Sequence, residues 1–181
     1  MIRWDNANGA LGEIGTTRGS TAVLVDLYPT LVELCGITGN GGQANYLPTD
    51  RVIDGISMVD LLQSDMVIHT AEHPILHMKR EKLKAIQYTV PTSEIKELYP
   101  DYDHAVLNEN EYLTFKYFEK IQNDNSAFFD KNRKNWLHIL NDDYAENYNR
   151  TPVYPEISAQ FKEKMHEIMD DFKQNRRGIV E

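Results

Sequence analysis

The sequence predicts an α+β fold: a small antiparallel sheet of three to four strands packed on one long C-terminal helix. Three observations carry that expectation. Glu111 to Ile121 sets Leu113, Phe115 and Tyr117 against Tyr112, Thr114, Lys116 and Phe118, the alternation of a half-buried strand. Pro155 to about Arg177 repeats Ile157, Phe161, Met165, Ile168 and Phe172 with the period of a helix, and Gly178 follows as a stop. The strand patterns come before the long helix rather than alternating with helices, which argues a segregated layer instead of a parallel βαβ sheet.

The elements follow in chain order. Asp26 is suited to an N-cap, Pro29 falls in the first turn where its missing N–H is harmless, and Leu27, Leu31 and Leu34 form an apolar stripe that Gly36 ends. Thr38 to Tyr46 carries Gly39, Asn40, Gly41 and Gly42 and reads as a loop. After Asp54-Gly55, the run Ile56, Met58, Val59, Leu61 and Leu62 predicts a helix of two to three turns ending near Ser64. His73 to Lys79 and Leu83 to Tyr88 read as two strands around a charged turn, and Trp136 to Leu140 as another. Thr89 to Asn110, rich in Pro, Asp, Glu and Tyr, offers no clear period.

Composition narrows the function classes. A formal net charge of −9 argues against nucleic acid as a partner, because such proteins need a basic surface to neutralise phosphates. No apolar run approaches the roughly 20 residues of a membrane span, and the N-terminus lacks a signal-peptide pattern. The lone Cys35 has no partner for an internal disulfide and reads as a small apolar residue at a helix end. Asn149-Arg150-Thr151 is formally a glycosylation acceptor, a triplet common by chance.

Six segments carry a family resemblance. Val25-Asp26-Leu27-Tyr28-Pro29-Thr30-Leu31-Val32-Glu33-Leu34-Cys35-Gly36, then Leu47-Pro48-Thr49-Asp50-Arg51-Val52-Ile53-Asp54-Gly55, resembles the segment that leaves the large domain of sulfatases, in the arylsulfatase and steryl-sulfatase branch of the alkaline-phosphatase-like hydrolases. Met1-Ile2-Arg3-Trp4 resembles the end of a sheet strand in that family, with Asp5-Asn6 where Pro-Gly is usual. Glu72-His73-Pro74-Ile75-Leu76-His77-Met78 and Leu83-Lys84-Ala85-Ile86-Gln87-Tyr88 resemble a strand pair of the small domain, with Met78 replacing the usual tyrosine and Gln87 the usual arginine. Trp136 to Asn147, with Asp142, Asp143 and Glu146, resembles the segment before the family's last helix.

The resemblance implies that residues 1–64 are the incomplete C-terminal edge of a large α/β sulfatase domain and 65–181 a small C-terminal α+β domain. It implies a sulfuric ester hydrolase whose catalytic residues lie upstream, so that this chain alone is inactive. A formylglycine nucleophile and a divalent ion, usually calcium, are expected in the intact parent. Partners implied are the catalytic domain of the same parent chain and a sulfated small molecule or glycan. A secretory, lysosomal or periplasmic location goes with an intact sulfatase. Two rivals are a non-catalytic pseudoenzyme or interaction module that retains the small domain, and an unrelated α+β binding domain.

The constellations in the chain are weighed against that background. His69, His73 and His77 recur every fourth residue, but Pro74 breaks a helix there, and on a strand that spacing separates neighbours by about 13 Å, too far to share an ion. No metal site is expected. The resemblance makes His77 a weak candidate for substrate contact, against the commoner fate of a packed or surface histidine. Asp142-Asp143 reads as turn capping. Arg51 and Asp54, with Asp50, bracket a turn before the short helix, and an Arg–Asp pair there is expected to hold the two domains in register through a bidentate contact. Cys35 lacks the Pro and Arg of a formylglycine site, no serine satisfies that pattern, and no Gly-x-Ser-x-Gly elbow is present, so no catalytic residue is assigned.

Overall fold

The computed structural model describes residues 11–13, 15–36, 54–64, 66–79, 82–101, 105–119 and 135–174. The expected strand at Met1 to Trp4, the glycine-rich loop at Thr38 to Tyr46, Asp50, Arg51 and Gly178 lie outside them. The chain divides into two compact units, 1–73 and 74–181. Residues 66–73, read from the sequence as part of the second domain, belong to the first unit.

In the first unit a single 3-10 turn, Leu24–Asp26, runs into helix α1, Leu27–Leu34. Because the chain is already helical at Asp26 (φ −73°, ψ −17°), Asp26 is not the extended residue an N-cap requires, and its side chain does not cap α1. Gly36 ends α1 in the left-handed conformation, at φ 61°. The buried residues of α1 are Pro29, Thr30 and Val32, whereas Leu27 and Leu31 are exposed. The expected Leu27/Leu31/Leu34 stripe is therefore not the inner face of this unit. Helix α2, Val59–Ser64, is shorter than the sequence suggests, because Asp54 to Met58 are not helical. Gly55 explains part of this: a Cβ there would come within 2.1 Å of the Val25 carbonyl oxygen, so only glycine allows the close approach. Arg18 caps the other end, donating from Nη2 to the carbonyls of Leu62 (2.9 Å) and Gln63 (3.2 Å).

The second unit is α+β, with a four-stranded antiparallel meander, β1 (Ile75–Lys79), β2 (Lys82–Pro91), β3 (Tyr112–Glu119) and β4 (Asn135–Ile139), in the order β1-β2-β3-β4. Strand pairing sets Tyr88 opposite Phe115, and Phe115 opposite Ile139. Alternation puts those residues, with Val90, Leu113, Tyr117 and Leu137, on one face, the physical consequence of the two-residue period. Against that face lies the long C-terminal helix, labelled α5 in chain order, Pro155–Gln174. Its Ile157, Phe161 and Met165 are fully buried, and the Phe161 ring stacks on Tyr88 with centroids 3.7 Å apart and planes 2° from parallel. Ile168 packs on the edge of the core, and Phe172 is exposed, so the apolar stripe is buried for its first three turns only.

The segment with no readable period holds the end of β2 and two short helices, α3 (Thr92–Leu98) and α4 (Ala105–Glu109), whose Ile95, Val106 and Leu107 join the core. Pro91 ends β2, and Thr92 donates from both its amide and its hydroxyl to the Glu111 carbonyl. Tyr99, just past α3, accepts on its hydroxyl from the amides of Glu156 (2.9 Å) and Ile157 (3.3 Å), capping the first turn of α5. Burial first, then the neighbouring Glu156 carboxylate, pushes the Tyr99 hydroxyl up to about 12.

Candidate functional site

The face of the sheet turned away from α5 carries a polar row. Gln87 of β2 stands opposite Lys116 of β3, and Lys116 stands opposite His138 of β4. Each occupies the strand position that alternates with a core residue, which places all three on the outer face. His77 of β1 lies one pair along, opposite Ala85, close enough for its Nε2 to meet Gln87 Oε1 at 3.2 Å. Thr89 and Thr114 extend the same face with a hydroxyl pair at 3.0 Å.

The acidic partners come from the loop between β4 and α5. Glu146 Oε1 accepts from Lys116 Nζ at 2.7 Å, and the ammonium also lies 4.9 Å from the Phe118 ring centre. His138 is buried between Phe118 and Trp136, its Nδ1 3.6 Å from Asp143 Oδ2, an ion-pair distance rather than a hydrogen bond. The buried Asp143 carboxylate accepts from the amides of Asn147 (2.9 Å) and Tyr148 (2.7 Å). Burial works to raise its pKa, but those two amides and His138 outweigh burial and hold it below the usual carboxylate range. Asp142 pairs with Arg150 at 3.2 Å. Both aspartates therefore fix the loop, as the sequence reading of this pair anticipates.

Asn149 is a second anchor of that loop. Its Oδ1 accepts from the amides of Leu137 (3.1 Å) and Thr151 (3.0 Å), while Nδ2 donates to the Asn135 carbonyl at 3.2 Å. The amide nitrogen that a glycan would need is thus committed to the strand, and the formal acceptor triplet is a structural element.

His77 is half-buried, and its pKa is lowered by burial and then by the Lys116 charge; the Gln87 hydrogen bond and Glu146 oppose the shift. An amide oxygen accepts only, so a neutral His77 in this contact carries its proton on Nε2 and leaves Nδ1 as an acceptor. Together the row offers one ammonium paired with a carboxylate and, on the far side of β2, one imidazole held by Gln87. Such a set can hold an anionic group and adjust its protonation. It contains no serine or cysteine nucleophile.

The other histidines have separate tasks. His69, in the first unit, places Nε2 at 2.9 Å from Asp26 Oδ2 and Nδ1 at 2.9 Å from the His73 carbonyl. Asp26, fully buried, also accepts from the amides of Val23 (2.8 Å) and Ile56 (3.1 Å). Thr30 completes the clamp: its hydroxyl donates to the Asp26 carbonyl at 2.5 Å and accepts from the Met58 amide at 2.8 Å. His73 is exposed, so the three regularly spaced histidines meet three different surroundings. Among the described residues, no group of three or more His, Cys, Asp or Glu is arranged to hold a metal ion. Cys35 is exposed at the end of α1, not buried as its apolar neighbours suggest. Asp54 is also exposed, and the Arg51 contact expected for it lies outside the described residues.

Lys116 and Glu146 are the site residues that sequence reasoning missed. The signal for Lys116 was its outward place in an alternating strand, but only the register shows which groups stand across from it. A search against models of known protein families and a search of curated proteins return no match to the chain.

Proposed function

We propose that this chain is the C-terminal part of a sulfatase-like hydrolase: an edge of its large α/β domain followed by a small α+β domain that contributes to the substrate mouth. The observation that carries the reading is the clamp between the two segments bearing the resemblance. Gly55 sits against the Val25 carbonyl, the Ile56 amide reaches Asp26, and the Met58 amide reaches Thr30. The motif residues are thus each other's partners, so Asp26, Thr30 and Gly55 are tied to one packing arrangement rather than to separate local turns.

Two further features support it. Leu24, Val25, Leu27, Tyr28 and Leu31 leave apolar surface exposed along one short helical segment, as fits a helix that covers part of a larger sheet. The four-strand meander followed by a long helix has the make-up expected of the small domain. In an intact sulfatase a formylglycine and a divalent ion, both outside this chain, would supply the bond-cleaving chemistry. The described residues here do not fit that ion, and no step of bond cleavage is assigned to them. His77 and its neighbours would act on binding and orientation of a sulfated substrate.

The coding sequence in frame upstream of Met1 tests this directly. A Cys/Ser-x-Pro-x-Arg segment is the expected finding; an in-frame stop with no such segment would overturn the proposal in favour of a stand-alone interaction module. The purified 181-residue chain is expected to hydrolyse a chromogenic aryl sulfate no faster than buffer.

A further inference from the structure

His69 and Asp26 form a sealed pair inside the first unit, their side chains 6% and 0% exposed. Both nitrogens of the ring face acceptors. Nδ1 lies 2.9 Å from the His73 carbonyl oxygen, and Nε2 lies 2.9 Å from Asp26 Oδ2. A carbonyl oxygen only accepts, so Nδ1 carries a proton. An ionised carboxylate also only accepts, so Nε2 carries one as well. A neutral ring, with its single proton, would aim a buried lone pair at one of those two oxygens, which costs more than a lost hydrogen bond. Should the second proton be drawn along the contact toward Oδ2, the count is unchanged: the pair holds two protons, one more than a neutral imidazole beside a carboxylate. The Val23 amide donates to Oδ2 (2.8 Å) and the Ile56 amide to Oδ1 (3.1 Å), donors that suit an ionised carboxylate and hence an imidazolium beside it.

Among the described residues Asp26 is the one charged side chain within ion-pair distance of the ring. Glu33 of α1, Asp54, Asp60 of α2, Glu72 and His73 are exposed, and Arg18 is engaged with the carbonyls of Leu62 and Gln63. We infer that Asp26 and His69 are a proton-operated latch: the segment that carries His69 stays on the Leu24–Asp26 turn while the pair holds both protons, and is released when one passes to solvent. The ring reaches Asp26 across 43 positions of chain, and the same carboxylate holds the Ile56 amide from 30 positions away, so a single proton governs a junction of three segments.

The sign of the effect follows from the proton count. In the open chain a carboxylate ionises near about 4 and a histidine gives up its proton near about 6.5, and between those values open and closed forms bind the same number. Above about 6.5 the closed latch holds one proton more than the open chain, so its stabilisation is complete below that pH and is lost as pH rises, the opening constant growing by up to about tenfold per pH unit. His77 in the second unit acts in the opposite sense, because its pKa is lowered on folding.

Nitrogen NMR of the His69 ring and hydrogen exchange, both on the full chain, test the latch. At about pH 6 both ring nitrogens should carry the shift of a protonated nitrogen. Exchange of the Ile56 and Met58 amides, corrected for base catalysis, should quicken by up to about tenfold between about pH 7 and 8, while the amides of β3 keep their protection. His69→Gln can donate to Asp26 from an amide that does not titrate, so there the corrected exchange of Ile56 should be flat across the same range. A lone pair on either ring nitrogen at about pH 6 overturns the proposal, and so does a pH dependence of Ile56 exchange that is absent in the parent or unchanged in His69→Gln. The ring measurement is made on the parent, so it decides the matter even where His69→Gln fails to close.

Discussion

The two units of this chain are held together by different physics. Among the described residues, the second buries sixteen apolar residues in one cluster between its sheet, its short helices and α5, from Leu83 to Met165. Among the described residues of the first, few apolar side chains are buried, Val32, Met58, Val59 and Leu61 among them, and side chains that grip polar groups, Asp26, Thr30, His69 and Arg18, hold the segments together. Leu24, at 80% exposed, and Leu31, at 57%, remain outside its core. Apolar burial supplies a large, non-directional stabilisation, whereas a hydrogen bond adds about 0.5–1.5 kcal/mol net but costs more when one partner is removed. The second unit should therefore behave as a cooperative domain, and the first as a clamp that fails at single polar positions. Hydrogen exchange would sharpen the contrast: slow amides are expected in β2, β3 and α5, and faster ones in α1 and α2. Equal protection in both units would break it.

The largest expected effect is in the apolar core. Phe161→Ala removes a fully buried ring that stacks on Tyr88, and should cost about 3–5 kcal/mol, read as a lower urea midpoint. Phe172→Ala, on the same helical stripe but 41% exposed, should move the midpoint little. If the two changes proved equal, the assignment of the helix face would be wrong.

Next comes the clamp. Asp26→Ala leaves the amides of Val23 and Ile56 and the His69 ring without their acceptor, a loss of about 3 kcal/mol. The exchange rates of α1 and α2 should rise while those of the second unit stay fixed. Gly55→Ala drives a Cβ into the Val25 carbonyl and should cost about 1–3 kcal/mol at the same place. A milder change is Tyr99→Phe, which uncaps the Glu156 and Ile157 amides at a cost of about 1 kcal/mol, seen as faster exchange in the first turn of α5.

The smallest effects are those of pH on the second unit. The Asp143 pKa is depressed on folding, so its contribution is complete above the unfolded value of 3.8 and is lost as pH falls through the lower folded value. His77 is also depressed, so the folded state takes up its proton less readily than the unfolded chain. Stability should then decline as pH drops below the unfolded value of 6.5. A His77→Gln protein should lack that shallow decline, as thermal melts across the range would show.

Much of the second unit was legible in the sequence because strand alternation and helical period are set by the chain's own geometry. Leu113, Phe115, Tyr117, Ile157, Phe161 and Met165 all lie where their spacing puts them. The pattern failed where a run was too short to carry a period, at α3 and α4, whose Ile95, Val106 and Leu107 reach the core from single turns. It also failed at Asp26, a fit N-cap by residue type, which the preceding 3-10 turn turns inward.

The sequence by itself determined the α+β order, the core face of β3 and the glycine stop after α1, since each depends on local backbone geometry and periodicity. Only the tertiary structure decided that Lys116 meets Glu146, that Asp26 meets His69 and Ile56, and that Leu27 and Leu31 look outward. Those outcomes depend on which distant segment arrives opposite a side chain, through strand register and loop closure. Residues thirty or more positions apart, such as Lys116 and Glu146 or Asp26 and Ile56, leave no periodic trace of their pairing.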